Sequence, residues 1–79
     1  ALNDGIGVKK DQEEACHYYK QAAVQGDTNG MFFLGFMLKN GYGCNKDVKE
    51  GWRYIIMAAK KGNQQAQNYY DKFFETEFL

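Results

Sequence analysis

One stretch of this sequence occurs twice, and that recurrence constrains the fold more than any other feature. Residues 5–26 read GIGVKKDQEEACHYYKQAAVQG, and residues 41–62 read GYGCNKDVKEGWRYIIMAAKKG. Superposed at an offset of 36, with Gly5 on Gly41, 9 of the 22 positions are identical. The identities are Gly5/Gly41, Gly7/Gly43, Lys10/Lys46, Asp11/Asp47, Glu14/Glu50, Tyr18/Tyr54, Ala22/Ala58, Ala23/Ala59 and Gly26/Gly62. Self-similarity at a period of about 20 to 50 residues marks stacked units, each of which buries its apolar face against a neighbour.

Each shared residue has a physical reason to recur. Gly-x-Gly removes two Cβ atoms, so the backbone can take φ > 0 and pass from one helix to the next. This predicts turns over residues 5–10 and 41–46. Asp11 and Asp47 are each followed three residues later by a Glu, the capping-box arrangement of a helix start. The shared Tyr and Ala-Ala pair then fall on one helical stripe, a large side chain with two small ones. Gly26 and Gly62 stop the helix. The pattern predicts helices over 11–25, 28–39, 47–61 and 63–75, an all-α chain whose small residues let backbones come close. Residues 1–4 align with 37–40, the end of a helix, so the first repeat (1–40) is expected to lack most of its first helix. The second repeat covers 41–79, and its tail, 75–79, breaks the pattern.

These residues resemble the Sel-1-like repeat, a relative of the tetratricopeptide repeat with a period of about 36 residues. The first copy carries the resemblance in Gly5, Gly7, Val8, Asp11, Ala15, Tyr18, Tyr19, Ala22, Ala23, Gly26, Leu34, Gly35 and Gly41. The second departs from it: Gly51 stands for the expected Ala, Cys44 for Val, and Tyr70-Asp71 for Leu-Gly. The resemblance implies a right-handed α-solenoid of antiparallel helix–turn–helix repeats, here about two, acting as an adaptor in protein complexes. The whole chain, 1–79, then reads as one repeat domain and as part of a longer chain.

Composition narrows the alternatives. Ten basic and ten acidic residues cancel, leaving no net field to attract nucleic acid or an anionic membrane. The longest apolar stretch, residues 31–38, falls far short of the roughly 18 to 20 that span a bilayer. Seventy-nine residues is a marginal length for a self-sufficient core, a limit that a solenoid relaxes because each unit needs only its neighbours. Two cysteines, Cys16 and Cys44, and a single His cannot assemble a four-ligand zinc site. Secreted relatives carry disulfides within one repeat at a short spacing that this pair lacks, so reduced thiols in the cytoplasm or another reducing compartment are expected.

Catalytic constellations are equally sparse. Gly5-x-Gly7 and Gly41-x-Gly43 are half of a dinucleotide fingerprint but follow no strand, and they read as turn glycines. His17 falls about 160° from the centre of the Ala15, Tyr18, Tyr19, Ala22 and Ala23 stripe, with no partner for a dyad on its face. No catalytic residue, cofactor or metal is expected. An RNA-binding helical repeat would suit the many Tyr and Asn residues, but one Arg and no net charge leave little to neutralise phosphates.

The expected work is therefore non-catalytic binding of a partner protein or peptide. In tetratricopeptide-like arrays the first helix of each repeat lines the concave surface, here helices 28–39 and 63–75. In the former, Gly30, Leu34, Met37 and Leu38 form the inner stripe, while Phe32 and Phe36 project from the opposite side, close to Lys39. Asn68 and Lys72 take the corresponding positions in the last helix. Phe32, Phe36, Lys39, Asn68 and Lys72 are thus the candidate partner-binding residues, with burial of the two phenylalanines by neighbouring repeats as the alternative. Trp52 and Ile56, an i, i+4 pair, are expected to receive a following helix or a partner. Gly51, in mid-helix, is expected to face a bulky Tyr or Phe at a close crossing. The competing reading of the whole chain is a structural spacer inside a longer array.

Overall fold

The computed structural model describes residues 5–78, and its regular structure is helical throughout, with no strand among the described residues. Four helices follow in order: α1 (Gly5–Val24), α2 (Thr28–Asn40), α3 (Val48–Lys60) and α4 (Gln64–Phe78). Each packs on the next, α1 on α2, α2 on α3 and α3 on α4. The alignment of residues 1–4 with a helix end lies outside the described residues.

The two short links are built alike, as the repeat predicts. Gly26 N–H donates to Ala23 O and Asp27 N–H to Ala22 O, both at 3.0 Å; Gly62 N–H to Ala59 O and Asn63 N–H to Ala58 O repeat these bonds at the same lengths. The residue after each glycine caps the next helix. Asp27 Oδ1 accepts from Asn29 N–H at 2.9 Å and Gly30 N–H at 3.3 Å, and Asn63 Oδ1 accepts from Ala66 N–H at 2.9 Å. Asn63 also donates to Thr28 Oγ1 and Asn29 Oδ1, at 3.2 and 2.8 Å, tying the starts of α4 and α2 together.

The two Gly-x-Gly segments diverge. Gly41 and Gly43 take φ of 71° and 74°, as a turn out of a helix needs. Tyr42 N–H returns to Met37 O and Asp47 N–H to Leu38 O, and Asp47 then caps α3 through Glu50 N–H at 3.0 Å. Residues 5–10, expected as the equivalent turn, are helical, and α1 runs through them. The second turn is held by the last carbonyls of α2, and the described residues contain no helix before α1 to play that part. Asp11 accordingly lies inside a helix and caps nothing. At the other end, α4, expected over 63–75, extends through Phe78.

Small residues set the helix crossings. Glycines 35 and 51 face each other across α2 and α3: a Cβ on Gly51 would stand 2.6 Å from Gly35 O and from Lys39 Cγ, and one on Gly35 would strike Gly51 O. The neighbour that Gly51 admits is therefore backbone and a lysine stem, not the aromatic ring expected from sequence. At the α1–α2 crossing, a Cβ on Gly30 would lie 2.6 Å from Ala22 Cβ. Ala23 and Ala58 are buried, with Ala22 and Ala59 half-buried beside them. The core centres on α3, where Trp52, Ile55 and Ala58 are at most 2 % exposed, flanked by Met31, Leu34 and Met37 of α2 and Ala66 of α4. Among residues 11–24 of α1, Cys16 and Ala23 are buried, whereas Tyr18, expected in the stripe, is 65 % exposed. Its counterpart Tyr54 is half-buried because α3 has a helix on each side; α1 is packed chiefly on α2.

Candidate functional site

Between α2 and α4 lies a furrow of about 310 Å³ lined by Phe32, Gln65, Asn68, Tyr69, Lys72 and Phe73. The helix period explains the α4 side: residues 65, 68, 69, 72 and 73 recur at three and four, so they share one face. Phe32 reaches this face from α2 and is itself buried, its ring edge-to-face with Tyr69 at 5.7 Å. Tyr69 and Phe73 lie 4.6 Å apart, and Phe73 is 39 % exposed, the large apolar side chain of the furrow most open to solvent. Lys72 Nζ sits 5.5 Å from the Phe73 ring, and Asn68 Oδ1 accepts from Gln64 Nε2 at 3.1 Å. Lys72 and Asn68 are exposed at the rim.

Three of the five candidate binding residues, Phe32, Asn68 and Lys72, therefore come together. Phe36 and Lys39 do not line the furrow. Phe36 is half-buried between Tyr42 and Tyr69, with ring distances of 5.9 and 6.1 Å. Lys39 is 8 % exposed; its Nζ donates to Tyr69 Oη at 2.7 Å and stands 4.6 Å from the Trp52 ring and 4.8 Å from the Tyr69 ring. A charge so nearly desolvated is tolerable because hydrogen bonding and two ring faces replace water. Both residues thus support Tyr69 from behind. Tyr69 and Phe73 themselves were not singled out in the sequence as binding residues, although their i, i+4 spacing was the available signal.

A second furrow, of about 470 Å³, opens between α3 and α4, with Trp52, Ile56, Met57 and Phe74 beneath Lys49, Arg53 and Lys60. Trp52 is already 2 % exposed and meets Phe74 edge-to-face at 5.3 Å, so its indole is spent on packing. Arg53 is partly engaged by Glu50 at 3.6 Å. On α1, His17 is exposed and hydrogen-bonds Gln21 at 3.0 Å. Among the described residues no group of three or more His, Cys, Asp or Glu side chains is placed to hold a metal ion, and no helix is long and apolar enough to cross a membrane.

The two cysteines, remote in sequence, meet in space. Cys16 is buried on α1, and Cys44, on the α2–α3 turn, packs against the same buried cluster; both are free thiols. Burial, reinforced by Cys16, pushes the Cys44 thiol up to about 12, while Lys20 pulls slightly the other way.

The duplicated capped helices, their glycine and alanine crossings and the family comparison agree: the Sel1 repeat matches residues 1–27 and again 28–63. The chain belongs to the Sel1 repeat family. Among curated proteins it is 30 % identical over 60 residues to the chitin synthase regulator SKT5 of Saccharomyces cerevisiae, covering 76 % of this chain and 9 % of that one. It is 30 % identical over 67 residues to the DAP3-binding cell death enhancer 1 of Rattus norvegicus, covering 85 % and 13 %. A sel1-like repeat-containing protein of Acanthamoeba polyphaga mimivirus is 34 % identical over 56 residues, covering 71 % and 10 %. The chain thus spans about a tenth of the length of these relatives. No solved structure matches it significantly. Sel1 repeats are generally protein-interaction modules and typically non-catalytic, and two of these relatives are named as a regulator and as a binding protein.

Proposed function

We propose that this Sel1 repeat segment is an adaptor that holds a partner protein or peptide in the furrow between α2 and α4. Phe73 and the edge of Phe32 form its apolar floor, Asn68 and Lys72 its polar rim, and Phe36 and Lys39 fix Tyr69 behind it. The observation that carries this reading is the convergence of Phe32, Asn68 and Lys72 from two helices on one concavity with an open aromatic ring. Such a furrow suits an extended or helical segment with one apolar anchor and an acceptor or carboxylate opposite Lys72. The mechanism is static: a stack of helices presents variable side chains on a rigid frame, with no bond made or broken.

A photo-crosslinking side chain at position 68 tests it in the intact protein. Cross-links to a separate protein, lost when Lys72→Glu and Phe73→Ser are added, are the expected outcome. Cross-links only within the chain, or cross-links that survive both substitutions, would refute the furrow as the binding surface. Purely intramolecular products would favour the spacer reading, in which these helices only set the distance between other parts of a longer array.

A further inference from the structure

The contact between Cys16 and Cys44 has no part in the proposed furrow, and the fold goes to some length to make it. The turn after α2 is pressed onto α1: a Cβ on Gly43 would collide with the Gln12 carbonyl and come within 2.6 Å of Glu13 N. That approach brings the next residue, Cys44, beside Cys16, which lies one helical turn beyond Gln12 on α1 and belongs to the buried cluster that Cys44 packs against. Cys44 Sγ also lies 3.5 Å from Tyr42 O, which restricts where the thiol can turn. Cys16 is 6 % exposed, and Cys44 is half-buried. One thiol is thus open to a reagent from solvent, and the other waits behind it.

We infer that Cys16 and Cys44 are a latent disulfide site, closed by exchange with a small-molecule disulfide such as oxidised glutathione, which fastens α1 to the α2–α3 turn. The steps balance. The Cys44 thiol loses its proton, and the thiolate attacks one sulfur of glutathione disulfide, forming a mixed disulfide and expelling one glutathione thiolate. Cys16, deprotonated in turn, attacks the Cys44 sulfur and expels the second. The two cysteines are oxidised, one glutathione disulfide is reduced, and the two protons end on two glutathione thiols. The first step is slow because a buried thiol yields little thiolate at neutral pH. The second is intramolecular between neighbouring groups of one packed cluster, so the mixed disulfide does not accumulate.

The consequence falls on α1. It is one end of the stack, packed chiefly on α2, so it can detach without breaking the α2–α3 and α3–α4 seams. A bond from Cys16 to Cys44 would hold it at a second point, beside the α2–α3 turn. Closing the loop between positions 16 and 44 also restricts the unfolded chain.

The test equilibrates the protein with glutathione disulfide and analyses it without reduction. The expected product is lighter by two hydrogens, yields a peptide linking Cys16 to Cys44, and melts about 10 °C or more higher. Amide exchange in α1 should slow at least tenfold, while that in α4 stays as it was. Because serine at buried Cys16 disturbs packing, the half-buried Cys44→Ser variant serves as the control, with no internal bond and no rise in melting temperature. A stable glutathione adduct on Cys44, a bond between two chains, or two thiols still open to alkylation after equilibration would overturn the site. A linked product with unchanged α1 exchange would overturn the fastening role.

Discussion

At the scale of single residues, the crossing of glycines 35 and 51 sets two effects against each other. Alanine is the better helix former by about 1 kcal/mol, so either substitution would stabilise an isolated helix. In the fold, however, the atom that a new methyl meets is a backbone carbonyl, which cannot swing away as a side chain can. Separating the helices forfeits contacts along the whole α2–α3 seam, and overpacking of this kind costs about 1 to 3 kcal/mol. Gly35→Ala and Gly51→Ala should therefore each lower the melting temperature, and urea unfolding should show a reduced midpoint. Unchanged or raised stability would mean that the crossing is looser than drawn. Sequence showed that Gly51 needed an explanation but not which one, because helical periodicity reports the face a residue occupies and not the atom opposite it.

The same scale yields a matched comparison. Asp11 and Asp47 are identical in the repeat, yet Asp47 bonds Glu50 N–H at the start of α3 while Asp11 lies within α1. Asp47→Ala removes an N-cap and should cost about 1 kcal/mol. Asp11→Ala places a better helix former at an exposed interior position and should be neutral or slightly stabilising by thermal denaturation. Equal losses from the two would indicate that residues 5–10 form the turn that the repeat pattern first suggested.

At the scale of elements, α2 and α3 were legible because both their ends carry chemistry, a capping Asp and then glycine or a turn behind it, and α4 was legible at its start, where Asn63 caps it. α1 was legible only at its C-terminal end. Its N-terminal reading was inherited by analogy from residues 41–46, whose turn depends on bonds to α2 that have no equivalent earlier in the described chain. The furrow was half legible for a related reason. Offset arithmetic placed Phe32, Asn68 and Lys72 on matching faces, but whether a ring is consumed by a neighbour is decided by tertiary packing. Phe32 shows this, being 9 % exposed against Tyr69. Phe32→Ala should cost about 3 kcal/mol by opening a cavity, and it would confound any binding assay. Phe73→Ala, at a ring already 39 % exposed, should cost about 1 kcal/mol or less while removing the furrow's open anchor. Circular dichroism melts of the two variants separate these effects before any partner is added.

At the scale of the whole molecule, the main seams run between successive helices, with α4 also reaching α2 through Tyr69 and Asn63. Stability in such an array is a sum of units and nearest-neighbour seams, and a lesion should spread only as far as the seams it breaks. Ile55 is 0 % exposed on α3, which packs on both α2 and α4. Ile55→Ala should cost about 2 to 5 kcal/mol, a large share of the roughly 4 to 12 kcal/mol available to a chain of this size. Protection from hydrogen exchange should then fall together in α2, α3 and α4. Tyr19, half-buried on α1 with its ring 5.1 Å from Phe33, belongs to one seam only. Tyr19→Ala should lower protection in α1 while α3 and α4 keep theirs. If Tyr19→Ala instead lowered protection everywhere to the same degree, the four helices would be acting as one cooperative globule, and the one-dimensional account of this fold would fail.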